Sequence, residues 1–153
     1  MERKSRILEP DVLLKSLPEL LEQGGTFPLG ITGSSMTPFL VHGRDTVYLS
    51  RVSGSLKKGD MILYRRDNGM LVLHRIVRVE DDRYTLVGDA QTELEPGIRP
   101  DQVLALVTSV CRKGKHLGKD SFCWTFFEKI WIRMIPARPM IMAVYGRLRS
   151  LFL

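Results

Sequence analysis

Three short stretches carry side chains that together could break an amide bond. The first is Gly33-Ser34-Ser35-Met36-Thr37-Pro38, which reads as a sharp turn after a strand. Glycine allows the bend, and Pro38 prevents a strand ladder from continuing. A serine at such a bend presents its hydroxyl and its own backbone N–H to one small volume, as a serine nucleophile with an oxyanion hole requires. The second is His74 in Met70-Leu71-Val72-Leu73-His74-Arg75-Ile76-Val77-Arg78. Strand alternation sets Met70, Val72, His74 and Ile76 on one face, and Leu71, Leu73, Arg75 and Val77 on the other. Apolar neighbours desolvate the imidazole and favour the neutral form that a general base needs. The third is Gly88-Asp89-Ala90. Pairing of 83–89 with 70–80 about Asp81-Asp82 brings Asp89 near His74, where a carboxylate would orient the imidazole. Each stretch also has a plainer reading: a common Ser/Gly/Pro turn, a core histidine bonded to a carbonyl, and an aspartate that forms a turn.

These residues need elements to hold them. Residues 11–23 predict a short amphipathic helix, with Leu13, Leu14, Leu17, Leu20 and Leu21 at helical spacing and Gly24-Gly25 as its stop. Pro18 lies inside it, where the helix is expected to restart. The middle of the chain is a series of short runs rich in β-branched and aromatic residues: 27–33, 45–52, 60–66, 70–79, 83–89 and 102–112. Turn signals separate them, and Asn68-Gly69 is a strong hairpin signal. The expected fold class is therefore mainly β, an antiparallel body over 26–112 with a helical lead over 1–25. Residues 113–120 read as a polar linker. Residues 121–135 and 140–152 read as amphipathic helices divided by Pro136 and Pro139.

Taken together, the boxes resemble the signal peptidase I / LexA-like serine peptidase superfamily over about residues 27–112. Ser35-Met36-Thr37-Pro38, Gly43-x-Asp45-x-Val47, Lys58-Gly59-Asp60-Met61-Ile62, His74-Arg75-Ile76-Val77 and Gly88-Asp89-Ala90 stand in the family's order. The resemblance implies a β-rich fold and amide hydrolysis through an acyl-enzyme. The bacterial signal peptidase I and LexA branches use a lysine base, and the endoplasmic-reticulum and archaeal-like branch uses a histidine. With His74 in that place, this chain is similar to the histidine branch. Ser35 is then the nucleophile, with its own N–H in the oxyanion hole, His74 the base and Asp89 an orienting acid. Met36, Pro38 and Arg75 complete the motifs. An ordinary histidine base predicts activity that rises through roughly pH 6–8.

The chain also departs from the family. Gly33 stands where many members carry a hydroxyl that helps to form the oxyanion hole. Gln91-Thr92-Glu93-Leu94-Glu95-Pro96 follows the Gly-Asp box, where histidine-branch enzymes can carry a further acid. About 25 residues precede the β body, too few for the DNA-binding domain of LexA-like proteins. Their scissile Ala-Gly or Cys-Gly dipeptide occurs nowhere. A non-catalytic module that binds an extended peptide by strand addition is the competing reading.

Composition sets the outer bounds. The 153 residues suit one domain, and 44% hydrophobic with 26% charged residues excludes wholesale disorder. Cys111 and Cys123 form no CxxC, and His42, His74 and His116 give no metal-ligand spacing, so no metal and no cofactor are expected. Lys and Arg outnumber Asp and Glu by 23 to 17, for a net charge of +6. Residues 121–153 hold Lys129, Arg133, Arg138, Arg147 and Arg149 against one acid, Glu128, so most of the excess lies in the tail. That distribution argues against nucleic acid as a partner and fits an anionic membrane surface or a docking helix better; a peptide or protein substrate is what the resemblance implies. Two fates are open to the 121–153 tail: packing on the β body, or peripheral contact with an anionic membrane. Neither a signal peptide nor a transmembrane helix is expected, so the expected location is cytoplasmic or peripheral to a membrane.

Overall fold

The computed structural model describes residues 10–152. The first nine residues of the helical lead and Leu153 lie outside the described residues.

Helix α1, Pro10–Glu22, turns Leu13, Leu17 and Leu21 inward at a spacing of four. It runs through Pro18 without restarting. Eight strands follow: β1 Phe27–Gly30, β2 Thr46–Ser50, β3 Met61–Arg65, β4 Leu71–Glu80, β5 Arg83–Val87, β6 Glu95–Ile98, β7 Val103–Arg112 and β8 Lys115–Leu117. They form one antiparallel sheet in the order β1-β2-β7-β3-β4-β5-β6, and β8 also pairs with β7. The mainly β architecture expected from the sequence is the one observed, with a short N-terminal helix and a helical C-terminal segment.

Turn residues explain the hairpins. Asp81 and Asp82 both take left-handed φ, 42° and 60°, between the directly opposed Glu80 and Arg83. A two-residue turn of this hand matches the twist of the strands that it joins. Lys113 and Gly114, at φ 52° and 79°, repeat the device between Arg112 and Lys115. Residues 113–120 are thus not a plain linker: they turn the chain and contribute β8. Strand β6 was not expected either, because Pro96 and Gly97 inside it read as a turn.

The sheet separates two apolar clusters. Alternation along β3 sends Met61 and Leu63 into the larger one and Ile62 and Tyr64 into the smaller. The larger cluster also takes α1, Met36, Phe39 and Leu40 after the serine turn, and Trp124, Phe127 and Trp131 of the tail. The smaller holds Leu56, Ile76, Leu86 and Ile98.

The tail divides into two parts. Helix α2, Phe122–Thr125, is capped by Ser121 Oγ, which accepts from the Trp124 N–H at 3.1 Å. A π-turn over Phe126–Ile130 and a 3₁₀ segment over Trp131–Ala137 then bury Phe127, Trp131 and Ile132, while Ile130 stays exposed. The Phe127 ring stacks on Phe39 at 4.7 Å. Helix α3, Arg138–Leu151, accommodates Pro139 in its first turn, where no intrahelical N–H bond is lost. Its Ile141 and Met142 pack on the larger cluster. Met140, Val144, Leu148 and Leu151 project outward instead, 50–77% exposed.

Candidate active site

Ser35 sits half-buried in the turn between β1 and β2. Several anchors fix that turn. Met36, Phe39 and Leu40 are buried below it. Arg112 donates from Nε to the Phe39 carbonyl at 2.8 Å and from Nη2 to the Pro38 carbonyl at 3.3 Å. The Thr37-Pro38 peptide is cis. At the far side of the loop, Asp45 accepts from the Val41 N–H at 2.8 Å and the Lys113 N–H at 3.1 Å. Burial pushes the Asp45 carboxyl up, but the Arg44 guanidinium and these N–H groups outweigh it and hold the carboxyl below its ordinary range. His42 is exposed yet accepts the Gly33 N–H on Nδ1 at 2.9 Å.

The Ser35 carbonyl accepts the Ala90 N–H at 2.9 Å, so the serine turn lies directly on the Gly88-Asp89-Ala90 turn. Gly88 makes this contact possible, since a Cβ there would stand 2.5 Å from the Ser35 carbonyl oxygen. Among the described residues, the Ser35 hydroxyl and the backbone N–H groups of Ser35 and Met36 have no hydrogen-bond partner. The N–H expected to serve as an oxyanion donor is therefore available.

His74 lies in β4 opposite Ile62 and is buried on the face of the smaller cluster. Its Nδ1 meets the Tyr64 hydroxyl at 3.2 Å. That hydroxyl donates to Glu95 Oε2, and Arg66 Nε donates to Glu95 Oε1 at 2.7 Å. Burial pushes the imidazole pKa down from 6.5 to about 4, against the opposing pull of the Glu95 carboxylate. Burial raises the Glu95 carboxyl, but hydrogen bonds from Arg66 and Tyr64 bring it below its ordinary value. The Tyr64 hydroxyl is raised by burial and by Glu95. Among the described residues, Arg138 Nε is the one fully buried side-chain polar atom without a partner. The unpartnered Nε2 of His74 and Oγ of Ser35 are then not fully buried.

Asp89 does not meet His74. Both of its oxygens accept from Arg75, at 2.9 Å from Nε and 2.9 Å from Nη2, and the pair is fully buried. The reason is one extra residue. A regular ladder from the Glu80–Arg83 pair would set His74 opposite Asp89. The bulge between Ile76 and Arg78 shifts the register, so Arg75 faces Val87 and Asp89 falls on the Arg75 side of the strand. The Arg75 guanidinium also donates to the Gly59 carbonyl at 2.9 Å and lies 5.5 Å from the centre of the Phe39 ring. Arg75, expected only as motif support, is the bolt that ties the aspartate turn to β4.

The tail closes over the same turn, which the sequence did not disclose. The Trp131 indole N–H donates to the Asp89 carbonyl at 2.8 Å. Arg138 Nη1 donates to the Gly88 and Gln91 carbonyls at 3.0 and 2.8 Å, and its guanidinium lies 5.3 Å from the Trp131 ring centre. No hydrogen bond links Ser35 to His74 among the described residues, although the turn under Ser35 is bolted to the residue next to His74. The described residues contain no cluster of three or more His, Cys, Asp or Glu side chains arranged for a metal ion. Neither a family model, nor a curated protein, nor a solved structure matches the chain.

Proposed function

We propose that the chain is a serine peptidase of the signal-peptidase-like kind, with Ser35 as nucleophile and His74 as general base. The observation that carries this reading is that two groups suited to the chemistry both lack a hydrogen-bond partner among the described residues. One is a serine hydroxyl beside free backbone N–H groups. The other is the Nε2 edge of a histidine held neutral at physiological pH by burial. Nε2 takes the Ser35 proton as Oγ attacks the substrate carbonyl, and the Ser35 N–H receives the developing oxyanion. The proton passes to the leaving amine, and water then releases the acyl group by the same base. No hydrogen bond joins Ser35 to His74 among the described residues, and catalytic hydrogen bonds often tighten only when substrate arrives.

The missing Ser35–His74 bond also favours the second reading, a peptide-binding module without catalysis. A labelled serine-directed acylating probe separates the two. The peptidase reading expects labelling of the native chain and none of Ser35→Ala or His74→Ala. Equal labelling of all three, or of none, favours the binding module.

Among the described residues no helix is long and apolar enough to cross a membrane. We place the protein instead at an anionic bilayer surface, through α3. Met140, Val144, Leu148 and Leu151 share one outward face at a spacing of three to four, and Arg147 flanks it. From Lys129 through Leu153 the sequence has five bases and no acid, so apolar side chains can enter the headgroup boundary while cations meet anionic lipid. An open groove between the Val41–Arg44 turn and the Leu148, Arg149 and Phe152 end of α3 adds the same pairing of arginine and apolar lining. The full chain should float with phosphatidylserine vesicles at low salt and sink with phosphatidylcholine ones. The triple substitution Met140→Gln, Val144→Gln, Leu148→Gln should sink with both. A native chain that sinks with phosphatidylserine vesicles, or that forms a dimer through this face, removes the membrane assignment.

A further inference from the structure

Tyr64 and Glu95 have no part in the chemistry proposed above, yet they govern the nitrogen that the chemistry does not use. The Tyr64 hydroxyl has one proton, and it is directed at Glu95 Oε2. An ionised carboxylate can only accept, so that proton is committed. The Tyr64 oxygen is left with lone pairs, and His74 Nδ1 stands 3.2 Å away. The bond between them then requires the proton on Nδ1. Arg66 holds the carboxylate in place from the other side, with Nε on Oε1 at 2.7 Å.

We infer that Tyr64 and Glu95 form a positioning relay that fixes neutral His74 as the Nδ1–H tautomer, so that the lone pair lies on Nε2, the edge left without a hydrogen-bond partner among the described residues. The inference rests on the peptidase reading only for its purpose; the tautomer itself is a property of the resting protein. A third group that orients a base usually touches it directly. Here the carboxylate acts through an inserted phenol. The arrangement answers a problem of register, since the bulge in β4 turned Asp89 away and left His74 facing Tyr64 on the neighbouring strand. The phenol also suits burial: His74 and Tyr64 lie in the apolar interior, while the charged carboxylate stays half-exposed beside Arg66. The charge is thus kept out of the core and its orienting effect is carried inward by one neutral group. Reversal of the relay has a clear consequence. A protonated Glu95 would donate to Tyr64, Tyr64 would donate to Nδ1, and the proton of the imidazole would move to Nε2, which removes the base.

Nitrogen-15 NMR of the full-length, histidine-labelled protein at pH 7 tests this directly. Loss of a signal in His74→Gln assigns the ring. The native chain should show Nδ1 protonated and Nε2 unprotonated; the opposite tautomer overturns the proposal without need of any variant. Tyr64→Phe keeps the buried ring and removes the hydroxyl, and Glu95→Gln alters only a half-exposed side chain, so the second remains readable where the first fails to fold. Both should convert His74 to a tautomer mixture, and an unchanged pure Nδ1–H form in a folded Glu95→Gln chain overturns the relay. If the native chain cleaves peptide, each variant should lower kcat about tenfold with KM unchanged. A native chain with the Nδ1–H form and no acylation of Ser35 would refute the peptidase reading and leave the relay standing.

Discussion

At the scale of single residues, burial changes what His74 does with pH. The ordinary imidazole would set an acid limb between pH 6 and 8. With the His74 pKa lowered to about 4 by burial, the acid limb of kcat/KM should fall near pH 4, and activity should be flat from about pH 5.5 to 8. The sign for stability follows from the same shift. Between pH 6.5 and 4 the unfolded chain takes up a proton that folded His74 refuses, so stability falls as the pH drops through this window, by up to about 3 kcal/mol. Urea midpoints at pH 7 and pH 4.5 should differ in the native chain by this contribution, and the difference should shrink in His74→Gln. An acid limb that stays near pH 6.5 would mean that the ring is hydrated. The stretch Met70–Arg78 disclosed that His74 is a strand residue among apolar neighbours. It could not disclose Tyr64 as its partner, because that contact depends on which residue of β3 lies diagonal to it.

At the scale of elements, the aspartate turn and β4 behave as one unit through a buried ion pair. Asp89→Asn on an orienting residue would lower the rate and spare the fold. On the bolt that the structure contains, it should instead destabilise the protein by about 3–5 kcal/mol, because Arg75 is left as an uncompensated buried charge. Arg75→Met should cost a similar amount, and the double variant with Asp89→Leu should recover much of the loss, as read by urea denaturation. Additive losses would show that the pair is not coupled. The six main strand runs and the Asn68-Gly69 and Asp81-Asp82 turns were legible because alternation and turn chemistry are local signals. The order of the serine, histidine and aspartate boxes was equally legible. Strand β8 was hidden by Lys113, an uncommon residue in a left-handed turn, and β6 by Pro96 and Gly97. The partner of Asp89 was hidden for a different reason: the single-residue bulge near Val77 leaves no mark in the hydrophobic pattern, yet it exchanges the two faces of the strand.

At the scale of the whole molecule, the tail was left with two fates, and the structure shows packing for its first half and an exposed apolar face for its second. Residues 122–138 pack: Trp124, Phe127, Trp131 and Ile132 are buried, and Arg138 reaches the Gly88–Gln91 turn. Residues 140–152 present an apolar outer face and are the part assigned to lipid. Loss of the buried aromatics removes roughly 1.5–3 kcal/mol for each side chain. A chain that stops at Lys119 should therefore lose its cooperative melting transition rather than yield a soluble control for membrane binding, and circular dichroism on heating would show it; a sharp native-like transition would show that the β body stands alone. The Trp131 and Arg138 bonds to the aspartate turn have a further consequence, in time rather than in space. Ribosomal synthesis delivers Ser35 about 100 residues before Trp131 and Arg138, which is roughly 5–20 s of elongation. During that interval the turn beneath Ser35 lacks two of the side chains that brace it. A nascent chain would thus hold Ser35 on an unfinished support until Trp131 and Arg138 are made, and any cleavage by the proposed dyad would have to wait for them.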